Sequence, residues 1–194
     1  MNHSDIASSY NTIGSVYRAK GEYEKALEFH QISMASQRSS YGDVTHPVFV
    51  ESYGNISFVY LSQEEYGKAL QCVQRALTIG LSVYKNENNS HVYSCYSCVG
   101  AVYESKGNYE TALEYLNNSL AIQRAMYGNS NHPDIAQTYS MLAMCYHYPG
   151  DRRKALECFE KSVEIGNGVY GDVNHPDMVT LSDSLSLYSV YESQ

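Results

Sequence analysis

The sequence predicts an all-α fold, a right-handed α-solenoid of four helical hairpins closed by a C-terminal helix. Three observations predict it. Tyrosine is abnormally frequent, at 20 of 194 residues, and most of the tyrosines return at one fixed interval. An Ala-Leu pair keeps the same interval without a slip. Within one interval the apolar residues form two stripes at helical spacing, separated by a chain-breaking glycine.

The interval is 43 residues. Tyr10, Tyr53, Tyr96 and Tyr139 form one series, and Tyr17, Tyr60, Tyr103 and Tyr146 a second. Tyr41, Tyr84, Tyr127 and Tyr170 form a third. Tyr23, Tyr66 and Tyr109 form a fourth, broken at Arg152, and the four series hold 15 of the 20 tyrosines. Ala26, Ala69, Ala112 and Ala155 are each followed by leucine, and small residues recur at Ser33, Ala76, Ser119 and Ser162. A register held over four copies is a tandem repeat, and a period of this length means a solenoid.

The first hairpin opens with Tyr10, Ile13, Gly14 and Tyr17 at i, i+3, i+4 and i+7, one apolar face of a helix. Gly21 breaks the chain. A second stripe runs through Tyr23, Ala26, Leu27 and His30, with Ser33 and Met34 one turn on. The second unit repeats this as helix A, roughly 47–62, and helix B, roughly 65–84. His46-Pro47, His132-Pro133 and His175-Pro176 mark the joints. Proline at the first helical position costs nothing, because its missing N–H would be unpaired there. Asp134 and Asp177 suit the positive end of the helix dipole. Gly42, Gly128 and Gly171 end helix B, with Lys85 as the exception. The units divide at about 1–43, 44–86, 87–129 and 130–172 of a single array over 1–194. Met178, Leu181, Leu185 and Tyr188 then place a terminal helix at about 176–191, covering the fourth unit. His3 stands in register with His46 and His132, so the array starts in full stride and is expected to be a segment of a longer protein.

Composition excludes several function classes. The formal net charge is −8, from 13 Lys and Arg against 21 Asp and Glu. Phosphate backbones repel such a surface, so nucleic acid is not an expected partner. The densest basic stretch, Arg152-Arg153-Lys154, is too short to hold an anionic membrane. No apolar run approaches the roughly 18 residues of a membrane span. The first residues lack the basic and apolar blocks of a signal peptide, and five cysteines are an odd count for a disulfide framework. A cytoplasmic location is expected.

Two stretches carry a family resemblance, "NTIGSVYRAKGEYEKALEFH" and "SCVGAVYESKGNYETALEYL". Their Gly, Tyr, Gly-x-Tyr and Ala-Leu positions resemble the tetratricopeptide repeat (TPR) signature, whose usual unit is about 34 residues. The longer unit here, closed by Tyr-Gly-x-x-x-His-Pro, is similar to the repeats of kinesin light chain and its relatives. The resemblance implies a scaffold or adaptor that binds a protein or peptide. It also implies that helix A lines the concave surface. The inward columns would then be Asn11, Gly54, Ser97 and Ser140; Thr12, Asn55, Cys98 and Met141; Ser15, Phe58, Ala101 and Met144; and Arg18, Leu61, Glu104 and His147. These columns vary from unit to unit while the packing columns do not. The expected peptide-binding groove is Asn11, Ser15, Arg18, Asn55, Phe58, Leu61, Ser97, Ala101, Glu104, Met144 and His147.

The groove chemistry narrows the partner. Chaperone-binding relatives clamp a C-terminal carboxylate with Lys, Arg and Asn. Asn55 fits the central Asn, but Asn11 stands where a Lys is needed, and Ser94 and Cys98 replace the Lys and Arg of the third unit. A carboxylate buried without a cation costs several kcal/mol, so a chaperone terminus is not expected. Kinesin light chain relatives hold acidic peptides with basic groove residues. Here only Arg18 and His147 supply positive charge and Glu104 opposes it, which favours mixed polar and apolar anchors. The alternative reading is a ligand-sensing or regulatory repeat segment of a larger signalling protein, such as a STAND-type NTPase.

No catalytic constellation stands out from the repeat, and no enzyme activity is expected. Cys95-x-x-Cys98 with His91 has metal-ligand spacing, but no second pair completes a tetrahedral set. Cys95 takes a column of Ser9, Ser52 and Thr138, which are small residues. Cys145 replaces the valines at 16, 59 and 102. Neither metal nor cofactor is expected. The packing columns yield a test. Ala112→Arg should cost several kcal/mol through overpacking and a buried charge. Ser105→Arg, on the rim of the same unit, should cost under about 0.5 kcal/mol. Thermal melting of the two variants checks it, and equal melting points would refute the assignment of columns.

Overall fold

In a computed structural model, residues 3–42, 45–84, 89–128 and 130–171 are described. They form eight α-helices and no strand: α1 (His3–Ala19), α2 (Tyr23–Tyr41), α3 (Val48–Ser62), α4 (Tyr66–Val83), α5 (Ser90–Ser105), α6 (Tyr109–Tyr127), α7 (Pro133–His147) and α8 (Arg152–Tyr170). The helices follow the two stripes of each repeat, so the fold is the expected α-solenoid of helical hairpins. The expected helix at about 176–191 lies outside the described residues. The chain divides into two compact units, Met1–Val102 and Tyr103–Gln194, with the boundary inside α5. In the first, α1 pairs with α2, α3 pairs with α4, and α2 packs on α3; in the second, α7 pairs with α8 and α6 packs on α7.

The helix crossings are built on small residues. Ala26, Ala69, Ala112 and Ala155 are all fully buried, at 0 % exposure. Serines in the next small column reach across to helix A. Ser33 Oγ donates to the Ala7 carbonyl at 2.7 Å and Ser162 Oγ to the Ala136 carbonyl at 2.7 Å. Such bonds satisfy the hydroxyl within a dry crossing, where an unpaired one would be costly. Around the crossings the core is Phe49, Val59, Val73, Leu116 and Phe159. Most tyrosines do not fill this core. Tyr93 and Tyr139 are the buried ones among the described residues, and the others stand half-buried or exposed.

Those tyrosines stack instead. Tyr17 lies on Phe29 with centroids 5.3 Å apart, and Tyr103 on Tyr115 at 5.9 Å. A lysine lies over each of these tyrosines as well, with Lys25 Nζ 5.3 Å from the Tyr17 ring and Lys106 Nζ 5.8 Å from Tyr103. Where the partner column holds Cys72 or Cys158, it lies there without a stacked ring among the described residues: Lys68 Nζ stands 5.3 Å from the Tyr60 ring and Lys154 Nζ 5.1 Å from Tyr146. At the joints between hairpins, Tyr41 stacks on His46 and Tyr127 on His132. Each histidine also accepts a backbone N–H through Nδ1, from Val48 and from Asp134, and His132 is thereby the N-cap of α7. The prolines differ from one another: Pro133 is the first helical residue, whereas Pro47 precedes α3 as its cap.

Each hairpin turn is a Schellman motif. The N–H groups of Glu22, Glu65, Asn108 and Asp151 bond back to the carbonyls of Tyr17, Tyr60, Tyr103 and Tyr146. The residue before each must adopt a left-handed backbone. Gly21, Gly107 and Gly150 do so at φ 77°, 75° and 92°, but the second turn places Glu64 there at φ 59°. A side chain in this region costs roughly 1–2 kcal/mol.

One buried polar pair is peculiar to the first hairpin. His30 is 1 % exposed and takes the column held by Val73, Leu116 and Phe159 elsewhere. Its ring lies on Gly14, where an added Cβ would come within 2.8 Å of it. Nδ1 donates to Asn11 Oδ1 at 3.1 Å, while Nε2 has no partner among the described residues. Burial, with Arg18 adding to it, holds the His30 pKa below the usual value.

Two outcomes follow. Glu64→Gly should stabilise the fold by about 1 kcal/mol, the relief of the left-handed strain less the entropy of a glycine, read as a higher melting temperature. His30 binds protons more readily unfolded than folded. Its contribution is therefore complete above pH about 6.5 and declines as the pH falls below that value. The double variant Asn11→Ser/His30→Leu copies the third repeat, where Ser97 and Leu116 hold these columns. It should flatten the slope of stability against pH between 6.5 and 5, measured by urea unfolding, while wild type keeps it.

Candidate functional site

Helix A of each hairpin turns its variable columns away from the alanine crossings. In the first unit these columns meet around Phe58 of α3. Phe58 is 38 % exposed, although its surroundings are otherwise packed. The Arg18 guanidinium of α1 stands over its ring, 6.0 Å from the centroid. Such a contact contributes about 0.5–1 kcal/mol at an exposed site and holds the ring in place without covering it.

Beside Phe58 a cleft of about 100 Å³ opens between α3 and α5, floored by Val73 of α4. Asn55 and Phe58 line one wall, and Ser94, Cys95 and Cys98 the other. Glu51 and His91 flank its end. The His91 ring stacks on Tyr84 with centroids 5.7 Å apart, which fixes that rim. Cys95 and Cys98 are 4 % and 5 % exposed, and burial pushes both thiols up to about 12. As thiols they give the cleft an apolar wall rather than a nucleophile. Among the described residues no group of three or more His, Cys, Asp or Glu is arranged to hold a metal ion.

The structure therefore brings together Arg18, Asn55 and Phe58. Ser15, Leu61, Ser97 and Ala101 are half-buried on helices of the same unit. Asn11 does not belong with them. It is 5 % exposed, and its amide oxygen is engaged by His30, a long-range partner that its place in an inward column could not disclose. Three more expected groove residues lie in the second unit. Glu104 is half-buried, and burial raises its carboxyl above the usual range. Met144 packs against the layer of Ala143, Ala155 and Phe159. His147 lies against Tyr148 with ring centroids 5.3 Å apart.

Three residues near these positions escaped the column argument. Glu51 and His91 belong to the first turns of α3 and α5, before the columns that were followed inward. Glu51 and Ser94 share one column, and its polar variation was the available signal. Tyr148 is 55 % exposed and stacks on Tyr109 at 5.2 Å. It stands outside every tyrosine series, which was itself a signal.

Comparison with known proteins agrees with this architecture. The family model described as "Tetratricopeptide repeat" matches residues 5–82 and 92–167. No curated protein matches the chain. Among solved structures, a Podosopora anserina kinesin light chain with nearly identical TPR-like repeats superposes with a TM-score of 0.75 at 19 % identity, covering 100 % of this chain and 89 % of that one. BtubC (BKLC) from P. vanneervenii gives 0.72 at 21 % identity, over 91 % of this chain and 69 % of that one. A Rap protein complexed with Competence and Sporulation Factor gives 0.76 at 17 % identity, over 95 % of this chain and 48 % of that one. Among the described residues no helix is long and apolar enough to cross a membrane. With its matched segments spanning most of its length and its helices paired as that repeat requires, the chain belongs to the tetratricopeptide repeat family.

Proposed function

We propose that this protein is a peptide-binding scaffold or adaptor module of the kinesin-light-chain type, and that its partner lies along the variable helix A face. The observation that carries the reading is Phe58, a large apolar ring left 38 % exposed beside a cleft and steadied by Arg18. A ring half open beside a cleft offers a partner an apolar anchor, and a central apolar anchor dominates binding energy in most interfaces. Asn55 supplies an amide that can hold the backbone of an extended segment. The Rap protein solved with Competence and Sporulation Factor is a precedent in this fold for a bound partner.

Charge shapes the expected partner. Arg18 sits at the Phe58 end and Glu51 at the far end of the cleft. An apolar side chain flanked by polar or oppositely charged neighbours suits that surface better than a run of acids. The groove includes Leu61, one turn beyond Phe58, and extends to Ser15, Ser97 and Ala101 of the same unit. The module acts without catalysis and works in the cytoplasm.

A partner recovered by pull-down should be titrated against Asn55→Ala, Phe58→Ala and Leu61→Ser. Phe58→Ala should weaken binding by about 1–3 kcal/mol with little change in melting point, because the ring is exposed. Unchanged affinity in all three variants would move the interface to another face.

A further inference from the structure

A second kind of cleft occurs twice, on helix B. One is lined by Tyr53, Arg75, Thr78 and Ile79, with Thr45 at its edge. The other is lined by Tyr139, Lys161, Glu164 and Ile165, with Asn131 at its edge. Each residue of the second is 86 positions beyond its counterpart in the first, which is two repeats. In both, a cation stands over the repeat tyrosine: Arg75 is 5.9 Å from the Tyr53 centroid and Lys161 5.5 Å from Tyr139. The fold makes the cleft, and the side chains decide its charge.

The second cleft, about 240 Å³, has a further cation. Arg124 lies 5.7 Å from the Tyr139 centroid and donates through Nη2 to Tyr139 Oη at 2.5 Å, whereas its counterpart two repeats earlier, Arg38, does not line the first cleft. Tyr139 is 6 % exposed. Its hydroxyl accepts from Arg124, so its own proton is available to a ligand. Neither Arg124 nor Lys161 forms an ion pair with a carboxylate among the described residues. In an acidic chain, two such cations converging on one ring call for an explanation. Asn131 adds an amide. Gly168 makes room for it, since a Cβ there would clash with Asn131 Nδ2.

We propose that this cleft binds a phosphate group. Arg124, Lys161, the Tyr139 hydroxyl and the Asn131 amide supply donors from several elements, whereas a carboxylate accepts mainly within one plane. A tetrahedral oxyanion accepts from several directions at once. Glu164 lines the same cleft and opposes the anion, so it sets a ceiling on affinity. The site lies on residues distinct from the Phe58 surface and goes beyond the peptide-binding reading.

The test is calorimetric titration of the full chain with inorganic phosphate at constant ionic strength, with chloride and acetate as controls. Variants can be drawn from the array itself, which holds Asn167 in the column of Arg124 and Asn118 in that of Lys161. Arg124→Asn and Lys161→Asn should each weaken phosphate about tenfold, the usual scale for losing one charge-assisted bond. Glu164→Gln should tighten it by about the same factor, a gain that mere damage to the fold would not produce. Phosphate acting no differently from chloride would overturn the proposal. So would equal binding of acetate, or an affinity unchanged in the Arg124→Asn/Lys161→Asn double variant.

Discussion

At every helix crossing a single methyl group fills the space between two backbones. Ala26, Ala69, Ala112 and Ala155 have no exposed surface at all. The hairpins can close only because nothing larger stands there. Close approach lets Ser33 and Ser162 reach the opposite backbone and brings Tyr17 onto Phe29 and Tyr103 onto Tyr115. The variable helix A columns are not uniformly outward, since Phe58 is 38 % exposed while Asn11 and Cys98 are buried at 5 %.

Around that constraint the repeat distributes its polar groups economically. One acid and one lysine serve each of three turns: Glu22 with Lys25, Glu65 with Lys68 and Asp151 with Lys154 are ion-paired. The same lysines lie over Tyr17, Tyr60 and Tyr146. Exposed pairs of this kind contribute little individually. Their value lies in holding the tyrosine that closes the hairpin. In the third turn Thr111 replaces the lysine, and Asn108 caps its N–H instead. The joint before α7 uses the same economy, since His132 both stacks on Tyr127 and caps the helix.

The fold could be read almost entirely from the chain, because a period of 43 residues repeats every local decision four times and averages out its exceptions. The glycine turns, the alanine crossings and the helix limits all follow that register. What escaped the register was of two kinds. Glu64 keeps the left-handed turn of its glycine counterparts despite a side chain, so three neighbours' geometry overrides one residue's preference. Asn11 and His30 form a pair across 19 residues, and no column records a contact between two columns. The candidate site was readable to a similar depth. Phe58 and Asn55 stood out as deviations from their columns, whereas Glu51 and His91 required knowing which first turns flank the cleft.

The cysteines carry a last consequence. All five are free thiols, and Cys95, Cys98 and Cys145 are buried with their acidity pushed to about 12. At those three positions an electrophile therefore finds almost no thiolate in the folded protein, and it must wait for the helix to open. Cys95 and Cys98 sit on α5 and Cys145 on α7. The array thus contains its own clocks. The labelling rate of each thiol counts how often its stretch of the solenoid breathes, hairpin by hairpin.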